Sequence, residues 1–371
     1  MSLQHQILAA KLFNLQQKGL LRKLPNYEGM LDLCSNDYLG FSRKLNNFSS
    51  NEELSSGATG SRLISGNSTL AEATEDFIAN FHGEEASLIY NSGYMANVGL
   101  LSCLGQRGDA FLYDELVHAS IHDGMRLSFA DRYKFKHNDI FDLEKKLQHP
   151  HKNKFVIIES IYSMDGDMSK LDEIYDLCQK YQAALIVDEA HSIGIMGSKG
   201  DGLTNHYHLQ NKIFARIVTF GKAMGLHGAA VLGSQLLKDY LINHSRPFIY
   251  TTALPPHTFT QLQSAYQLLE DHGNQCRTLL FENIQYFRKK AAHFTHFSWK
   301  LNDSPIQCLY FSGNAEASAL AHHFQQHKIA IKAILAPTVQ EGTERIRICL
   351  HAHNSSHDID YFFETLQLFK L

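Results

Sequence analysis

The sequence lacks paired cysteines, long apolar runs and a large excess of one charge. Its 371 residues include six cysteines, none in a CxxC pair, which argues against a zinc knuckle or a thioredoxin motif and favours reduced thiols. No apolar stretch approaches the roughly 20 residues that a membrane-spanning helix needs. The formal net charge is −4, whereas nucleic-acid-binding proteins usually carry a basic excess. The sequence therefore predicts a cytoplasmic protein with no nucleic-acid or membrane partner.

The first 15 residues also lack the unbroken apolar stretch of a secretory signal. Their apolar side chains instead follow helical spacing, at Leu3, Ile7, Leu8, Leu12 and Leu15. We therefore predict a helix at this end of the chain.

The middle of the chain alternates short apolar runs with helical patterns. The apolar runs are Phe155–Ile158, Ala184–Val187, Ile217–Phe220 and Ala229–Leu232, and an amphipathic stretch covers Leu171–Gln182. Runs of four apolar residues suit strands that are buried on both faces, as in a parallel sheet. The pattern predicts the α/β class, with ligands bound at the carboxyl ends of the strands.

The pair Pro255-Pro256 interrupts this pattern and is followed by a long helical stretch, Gln261–Lys290. We predict three parts: an N-terminal helical arm over residues 1–33, a large cofactor-binding domain over 34–253, and a small α+β C-terminal domain over 254–371.

Asp188 and His191 follow one of the predicted buried strands, in the run Asp188-Glu189-Ala190-His191. The run fits a nucleotide-driven motor, a structural strand end or a pyridine-binding site. A motor also needs a phosphate loop, G-x-x-x-x-G-K-[ST]. The nearest match has Arg216 in place of the first glycine and Ala223 in place of the serine or threonine. This departure disfavours a motor, and an ATP-binding titration would test that alternative.

Lys222 directly follows another predicted strand and lies among glycines, in Thr219-Phe220-Gly221-Lys222-Ala223-Met224-Gly225. A lysine at a strand end is often simply solvated. In a partly apolar pocket, however, its pKa falls and the neutral amine becomes a nucleophile. With an upstream aspartate for a pyridinium nitrogen, such a lysine meets the needs of pyridoxal phosphate.

From about Gly19 to its C-terminus, the chain resembles the α-oxoamine synthase family. Each motif is weak alone, but their order and spacing together are specific. The motifs are Leu21-Arg22, Ser35-Asn36-Asp37-Tyr38-Leu39-Gly40, Gly60-Ser61-Arg62, Asn91-Ser92-Gly93-Tyr94, His118-Ala119-Ser120, Glu159 through Gly166, Asp188-Glu189-Ala190-His191, Thr219-Phe220-Gly221-Lys222 and Pro337-Thr338-Val339.

The resemblance implies a fold-type-I, aspartate-aminotransferase-like enzyme that uses pyridoxal 5′-phosphate and forms a homodimer with active sites at the interface. The runs Gly228–Val231 and Ile249–Pro256 are more similar to the branch that acts in biotin biosynthesis. That branch condenses L-alanine with pimeloyl-CoA or pimeloyl-[acyl-carrier protein], with loss of CO2, to give 8-amino-7-oxononanoate. The alternatives are a branch that uses glycine or serine with another acyl-CoA, and a weakened protein that only binds the cofactor.

The resemblance also implies roles for individual residues. Lys222 would hold the cofactor as a Schiff base, Asp188 would pair with its ring nitrogen, and His118 would stack on the ring; these three would be catalytic. The expected cofactor-binding residues are Gly93, Tyr94, His118, Glu159, Ser163, Asp188, His191, Thr219 and Lys222. The expected substrate-binding residues are Arg22, Asn36, His118, Thr338 and Arg347.

No metal site is expected, and we interpret His351, His353 and His357 as surface residues because no carboxylate or cysteine accompanies them at ligand spacing. The chain departs from its family at Ala71, where relatives usually have histidine. It also has Leu335 where the biotin-pathway branch usually has arginine, and a short segment between Gly40 and Gly57. These departures put the choice of acyl substrate in question.

Overall fold

The computed structural model describes residues 2–45 and 54–369, so half of the segment predicted to be short lies outside the described residues. The chain divides into two compact units. The larger unit takes in residues 36–163 and 167–280, and the smaller takes in residues 1–35, 164–166 and 281–371. The three-part division expected from the sequence stays a prediction.

The secondary structure follows the expected alternation. The strands are β1 (Leu31–Asp32), β2 (Ala86–Tyr90), β3 (Ala110–Asp114), β4 (Asp131–Phe135), β5 (Lys154–Glu159), β6 (Ala184–Asp188), β7 (Ala215–Thr219), β8 (Ala229–Gly233), β9 (Ser298–Lys300), β10 (Ile306–Phe311), β11 (Ile329–Ala330), β12 (Lys332–Ile334) and β13 (Glu344–Cys349). The helices are α1 (Leu3–Gln17), α2 (Phe41–Lys44), α3 (Thr69–His82), α4 (Gly93–Leu104), α5 (Ala119–Arg126), α6 (Ile140–Leu147), α7 (Leu171–Lys180), α8 (Leu203–His206), α9 (Gln235–His244), α10 (Arg246–Ile249), α11 (Pro256–Ala291), α12 (Asn314–Gln326) and α13 (Ser356–Leu368).

The larger unit is built on a seven-stranded sheet in the order β2-β8-β7-β6-β5-β3-β4. Strands β3 to β7 pair in parallel, whereas β8 runs antiparallel to both of its neighbours. Strands β7 and β8 are buried along their whole length, which explains why apolar residues predominate in both. The predicted α/β class with a mostly parallel sheet is confirmed.

Each face of this sheet is covered by helices. On one face, apolar residues of α4 and α5 pack with strand residues such as Ile157 and Ile217. On the other face, residues of α6 and α7 pack with Val156 and Leu185. Since successive side chains of a strand point to opposite faces, both cores draw on the same strands. The covered faces leave the carboxyl ends of β5, β6 and β7 as the place where polar side chains can meet.

The smaller unit contains a four-stranded antiparallel sheet in the order β12-β13-β10-β9 and a short parallel pair, β1-β11. Buried residues of α12 and α13 cover its apolar side, including Phe324 and Phe362, whose rings stack 4.7 Å apart. Within this unit Arg345 on β13 forms a buried ion pair with Asp165. Among the residues described here, no helix has both the length and the apolarity needed to cross a membrane.

Candidate active site

A cavity of about 280 Å³ lies in the larger unit, at the carboxyl ends of β5, β6 and β7. Ten of the site residues predicted from the sequence line this cavity, although they are up to 186 positions apart in the chain. These are Asn36, Gly93, Tyr94, His118, Glu159, Ser163, Asp188, His191, Thr219 and Lys222. The fold therefore brings all the expected cofactor-binding residues, and two of the expected substrate-binding residues (Asn36 and His118), to a single cavity.

Asp188 is the last residue of β6, and its side chain is almost completely buried. One carboxylate oxygen accepts a hydrogen bond from the side-chain amide of Asn97, with a nitrogen–oxygen distance of 2.7 Å. The other accepts from the backbone N–H of Ala190 at 2.9 Å. These two donors stabilise the ionised form in a buried setting. Asp188 is thus a fixed negative charge at the wall of the cavity.

Asn97 was not among the residues predicted from the sequence. It lies on α4, four residues after Gly93, and helical spacing at i and i+4 puts the two residues on one side of the helix. Its amide also donates to the hydroxyl of Ser120 at 3.1 Å. Asn97 therefore connects Asp188 with Ser120. The i, i+4 spacing was a usable signal, although nothing in the sequence indicates that Asp188 is the partner.

His118 immediately precedes α5, and its Nδ1 accepts from the backbone N–H of Ser120 at 3.2 Å. The hydroxyl of Ser120 lies 2.7 Å from the same nitrogen. Burial lowers the pKa of His118, and the positive charge of Lys222 lowers it further, against the opposing effect of Asp188. The ring is therefore neutral at neutral pH. Because Nδ1 accepts, the single proton resides on Nε2, which makes that nitrogen a hydrogen-bond donor.

His191 is held by Tyr38, whose phenolic oxygen lies 2.8 Å from His191 Nδ1. The same phenol donates to the side-chain oxygen of Asn36 at 3.0 Å. Tyr38 is fully buried and was missed as a site residue, although it belongs to the motif Ser35–Gly40. Its contacts tie two cavity-lining residues together, and so Tyr38 fixes their orientation.

Two glycines allow the close approaches that shape the cavity. A Cβ atom on Gly93 would lie 2.6 Å from the Cγ2 atom of Thr219, so only glycine lets the start of α4 approach the end of β7. Gly225 has a φ of +67°, and a Cβ there would lie 2.2 Å from the backbone nitrogen of Ser42. The turn between Lys222 and Gly225, closed by an N–H to carbonyl bond of 2.9 Å, therefore depends on glycine.

Glu189 belongs to the run that also suggested a motor, and the structure gives it a different task. Its carboxylate accepts from the guanidinium of Arg216 at 2.5 Å and from the backbone N–H of Thr204 at 2.9 Å. Arg216 is fully buried and also pairs with Glu84 at 2.8 Å. Breaking such a buried pair is strongly destabilising. Glu189 and Arg216 are therefore structural, and the contacts do not support the motor alternative.

The other predicted substrate-binding residues lie in the smaller unit. Arg22 is exposed in the segment after α1, and Thr338 is exposed in a turn after β12. Arg347 is half-buried on β13, where its guanidinium lies 3.0 Å from the sulfur of Cys349.

The interpretation of His351 as a surface residue is wrong. Its side chain is completely buried, and its Nε2 lies 3.1 Å from the carbonyl oxygen of Ser35. His351 lies two residues after the end of β13, and its backbone N–H donates to the side-chain oxygen of Asn354 across a turn. Periodicity alone could not reveal this turn. Ala71, one of the departures from the family, is also fully buried in α3 and is not among the described residues that line the cavity.

Comparison with known proteins agrees with this geometry. A model of the family described as "Aminotransferase class I and II" matches residues 28–366. The chain belongs to this family.

Relatives with named activities resemble 83–98% of the chain. A putative 8-amino-7-oxononanoate synthase from Geobacillus kaustophilus is 38% identical over 380 residues and covers 97% of both chains. An 8-amino-7-oxononanoate synthase from Emericella nidulans is 39% identical over 330 residues, which cover 83% of this chain and 79% of that protein. A third, from Alkaliphilus metalliredigens, is 33% identical and covers 98% of this chain and 96% of that protein. The resemblance to α-oxoamine synthases inferred from the motifs is confirmed.

Solved structures extend the likeness to the fold. An 8-amino-7-oxononanoate synthase from Francisella tularensis superposes with a TM-score of 0.76 at 27% identity, covering 91% of this chain and 97% of that one. A serine palmitoyltransferase from S. paucimobilis superposes with a TM-score of 0.87 at 24% identity, covering 99% and 98%. At that identity the second likeness supports the fold alone. The predicted fold-type-I architecture is confirmed.

Proposed function

We propose that the protein is a pyridoxal-phosphate-dependent acyltransferase that condenses L-alanine with a pimeloyl thioester, giving 8-amino-7-oxononanoate, CO2 and the free thiol carrier. The observation that carries this proposal is the convergence of Lys222, Asp188 and His118 on one cavity. The names of the relatives described above support the choice of substrates. The acyl carrier is either CoA or an acyl-carrier protein. A cytoplasmic location belongs to the same proposal.

The groups that line the cavity suit pyridoxal 5′-phosphate. The start of α4 at Gly93 directs backbone N–H groups toward the cavity, and the positive end of a helix dipole favours a phosphate. The hydroxyl of Thr219 lies at the same end of the cavity because Gly93 permits the close approach. Asp188 supplies a buried carboxylate for a protonated ring nitrogen, and Lys222 supplies the amine. Structures of the serine palmitoyltransferase from S. paucimobilis hold PLP, which supports the same cofactor in this fold.

When bound, the cofactor would supply an electron sink for the carbanion formed from alanine. Asp188, fixed by Asn97 and Ala190, would keep a proton on the ring nitrogen, since a buried carboxylate stabilises an adjacent cation. Lys222 Nζ would take the α-proton of alanine and later return a proton to the product.

His118 would act on the acyl substrate. Its Nδ1 accepts from Ser120, so its Nε2–H can donate to the carbonyl oxygen of the thioester. A preorganised donor aimed at an oxygen that gains negative charge lowers the barrier to attack. Tyr94, Glu159, Ser163 and His191 would complete the cofactor site. Asn36, Arg22, Thr338 and Arg347 remain proposed substrate contacts, and the guanidinium of Arg347 suits a carboxylate.

A homodimer is part of the proposal. Helix α1 buries none of its residues within the chain, although it carries the exposed apolar side chains of Leu3, Ile7, Leu8, Leu12 and Phe13. So many exposed apolar side chains on one helix indicate an interaction site. A second copy of the chain would cover it. Sedimentation at micromolar concentration should give twice the chain mass, and a fully active monomer would contradict this part of the proposal.

The second candidate function is another condensation of the same type, using glycine or serine with a different acyl-CoA. The likeness in fold to serine palmitoyltransferase favours this candidate, but that likeness is at 24% identity. The relatives that are 33–39% identical carry the oxononanoate synthase name, and we therefore prefer alanine.

One experiment decides between these functions. The purified protein with PLP is incubated with alanine, glycine or serine and with several acyl thioesters, and the products are identified by mass. The expected product forms from alanine and the pimeloyl thioester only. Lys222→Ala should abolish it, while Lys199→Ala, at an exposed lysine, should not. Borohydride reduction should attach the cofactor to the peptide that contains Lys222, and attachment elsewhere would refute the proposal.

A further inference from the structure

Two carboxyl groups lie side by side in the wall of the cavity. Glu159 ends β5 and Asp188 ends β6, and the two residues are register partners in the parallel pairing of these strands. Neighbouring strands are about 4.8 Å apart, and register partners point to the same face. Only 3% of Glu159 and 6% of Asp188 is exposed. Two buried carboxylates this close would repel each other, so one of them holds a proton.

The hydrogen bonds decide which carboxyl that is. Asp188 has short donors on both oxygens, at 2.7 and 2.9 Å. Glu159 Oε2 accepts from the backbone N–H of Ser163 over a longer 3.3 Å, and Glu159 Oε1 has no hydrogen-bond partner among the described residues. Because short donors stabilise a negative charge, Asp188 keeps it. The proton therefore belongs to Glu159, at the buried oxygen that has no partner among the described residues.

The charges around Glu159 agree with this assignment. Burial and the negative charge of Asp188 raise the pKa of the Glu159 carboxyl to about 8, against the opposing effects of Lys222 and of the backbone N–H groups of His118 and Ser163. The neighbouring phenol of Tyr162 is itself kept neutral, because burial and nearby carboxylates raise its pKa. Of these surrounding groups, only Lys222 would supply a positive side-chain charge. It lowers the pKa of Glu159 by less than burial and Asp188 raise it.

We propose that Glu159 is a positioning residue that is protonated at neutral pH. Its Oε2 accepts from the backbone N–H of Ser163, and its carboxyl also accepts from the backbone N–H of His118. The neutral acid thus holds both backbone groups without placing a second negative charge beside Asp188. The site then contains one negative charge, on Asp188, directed at the ring nitrogen. If Glu159 were also ionised, a second negative charge would lie beside Asp188, and the charge at the ring nitrogen would no longer come from Asp188 alone. This inference deepens the proposed function, since it concerns the same cavity.

The first test measures directly whether the carboxyl group of Glu159 is protonated. Infrared difference spectra of the full chain, wild type minus Glu159→Gln, are recorded at neutral pH and at rising pH. A carboxylic-acid C=O band should be present at neutral pH and should fade as the pH rises through about 8. The matched control, Glu85→Gln at an exposed position, should show carboxylate bands only. A wild-type spectrum with Glu159 already ionised at neutral pH overturns the inference.

The second test measures PLP affinity by titration of the apoprotein. Glutamine keeps one acceptor oxygen and one donor in the place of the acid, so Glu159→Gln should bind PLP within about threefold of the wild type. Glu159→Ala leaves the N–H groups of His118 and Ser163 without that acceptor and should bind about tenfold more weakly. If glutamine weakens binding as much as alanine, the inference is wrong. A wild type that does not bind PLP refutes the proposed function, while the infrared result still decides the protonation state. If the alanine variant does not fold, the infrared and glutamine results are sufficient.

Discussion

The side-chain amide of Asn97 donates to the carboxylate of Asp188 over 2.7 Å and, with its second hydrogen, to the hydroxyl of Ser120 over 3.1 Å. Ser120 in turn holds Nδ1 of His118. One amide therefore fixes both the carboxylate proposed to pair with the ring nitrogen and the imidazole proposed to meet the thioester. Three hydrogen bonds in the wall of one cavity therefore connect Asp188 with His118.

Asn97→Leu should weaken the positioning of both Asp188 and His118 without unfolding the protein. Leucine has nearly the same volume as asparagine but no hydrogen-bond donor. The loss of a buried hydrogen bond to a charged group costs roughly 1.5–3 kcal/mol, which corresponds to a fall in kcat/KM on the order of tenfold to a hundredfold. Steady-state kinetics with alanine and the pimeloyl thioester check this, and Asn80→Leu at an exposed helical position is the control. Unchanged kinetics would show that Asn97 does not position Asp188.

Asp188→Asn should keep the fold and lose most of the activity, since an amide cannot hold the ring proton as a carboxylate does. Removing a preorganised electrostatic partner typically lowers the rate on the order of a hundredfold or more. The step to measure is exchange of the α-proton of alanine with deuterium in the absence of acyl donor, followed by NMR. Exchange at the wild-type rate would refute the assignment of Asp188.

His137 should make stability fall as the pH rises above neutrality. Its Nδ1 lies 3.0 Å from Asp114 and its Nε2 lies 2.5 Å from Asp167. Burial opposes the positive charge, but the hydrogen bonds to these carboxylates outweigh it and raise the pKa of His137 to about 9. The contribution of this charge to folding is complete below the unfolded pKa of about 6.5, and it is lost as the pH rises through the folded value.

The measurement is the free energy of unfolding in urea as a function of pH, compared between the wild type and His137→Gln. The difference should be largest below about pH 6.5, on the order of 2–3 kcal/mol, and should shrink toward the folded pKa. His149→Gln, at an exposed position, should show no such dependence. A constant difference across this range would mean that His137 acts through packing and not through its charge.

Leu335→Arg should sharpen the choice of acyl substrate. Leucine supplies neither charge nor donors where the biotin-pathway branch usually has an arginine, whose fork suits the far carboxylate of a pimeloyl chain. Since Leu335 is only partly buried, one such contact should be worth roughly 1 kcal/mol or less, a relaxed preference and not a new reaction. The ratio of kcat/KM for pimeloyl and heptanoyl thioesters should rise in the variant. If the ratio stays the same, this position does not contact the acyl chain.

Much of the architecture was predictable because it depends on local patterns. The apolar runs at 155–158, 184–187, 217–220 and 229–232 became β5 to β8, since strands buried on both faces need continuous apolar sequence. The antiparallel direction of β8 was not predictable, because apolar composition is the same for either direction of pairing.

The sequence by itself determined the fold class, the family and many of the residues that line the cavity, because these depend on runs and motifs of adjacent residues. Only the tertiary structure decided their partners and their charges. Asn97 and Asp188 are 91 positions apart, and Tyr38 and His191 are 153 positions apart, so no spacing in the sequence connects them. The neutral state of His118 and the proton on Glu159 likewise follow from burial and from neighbouring charges. Both are properties of the folded cavity, since in the unfolded chain water solvates each group separately.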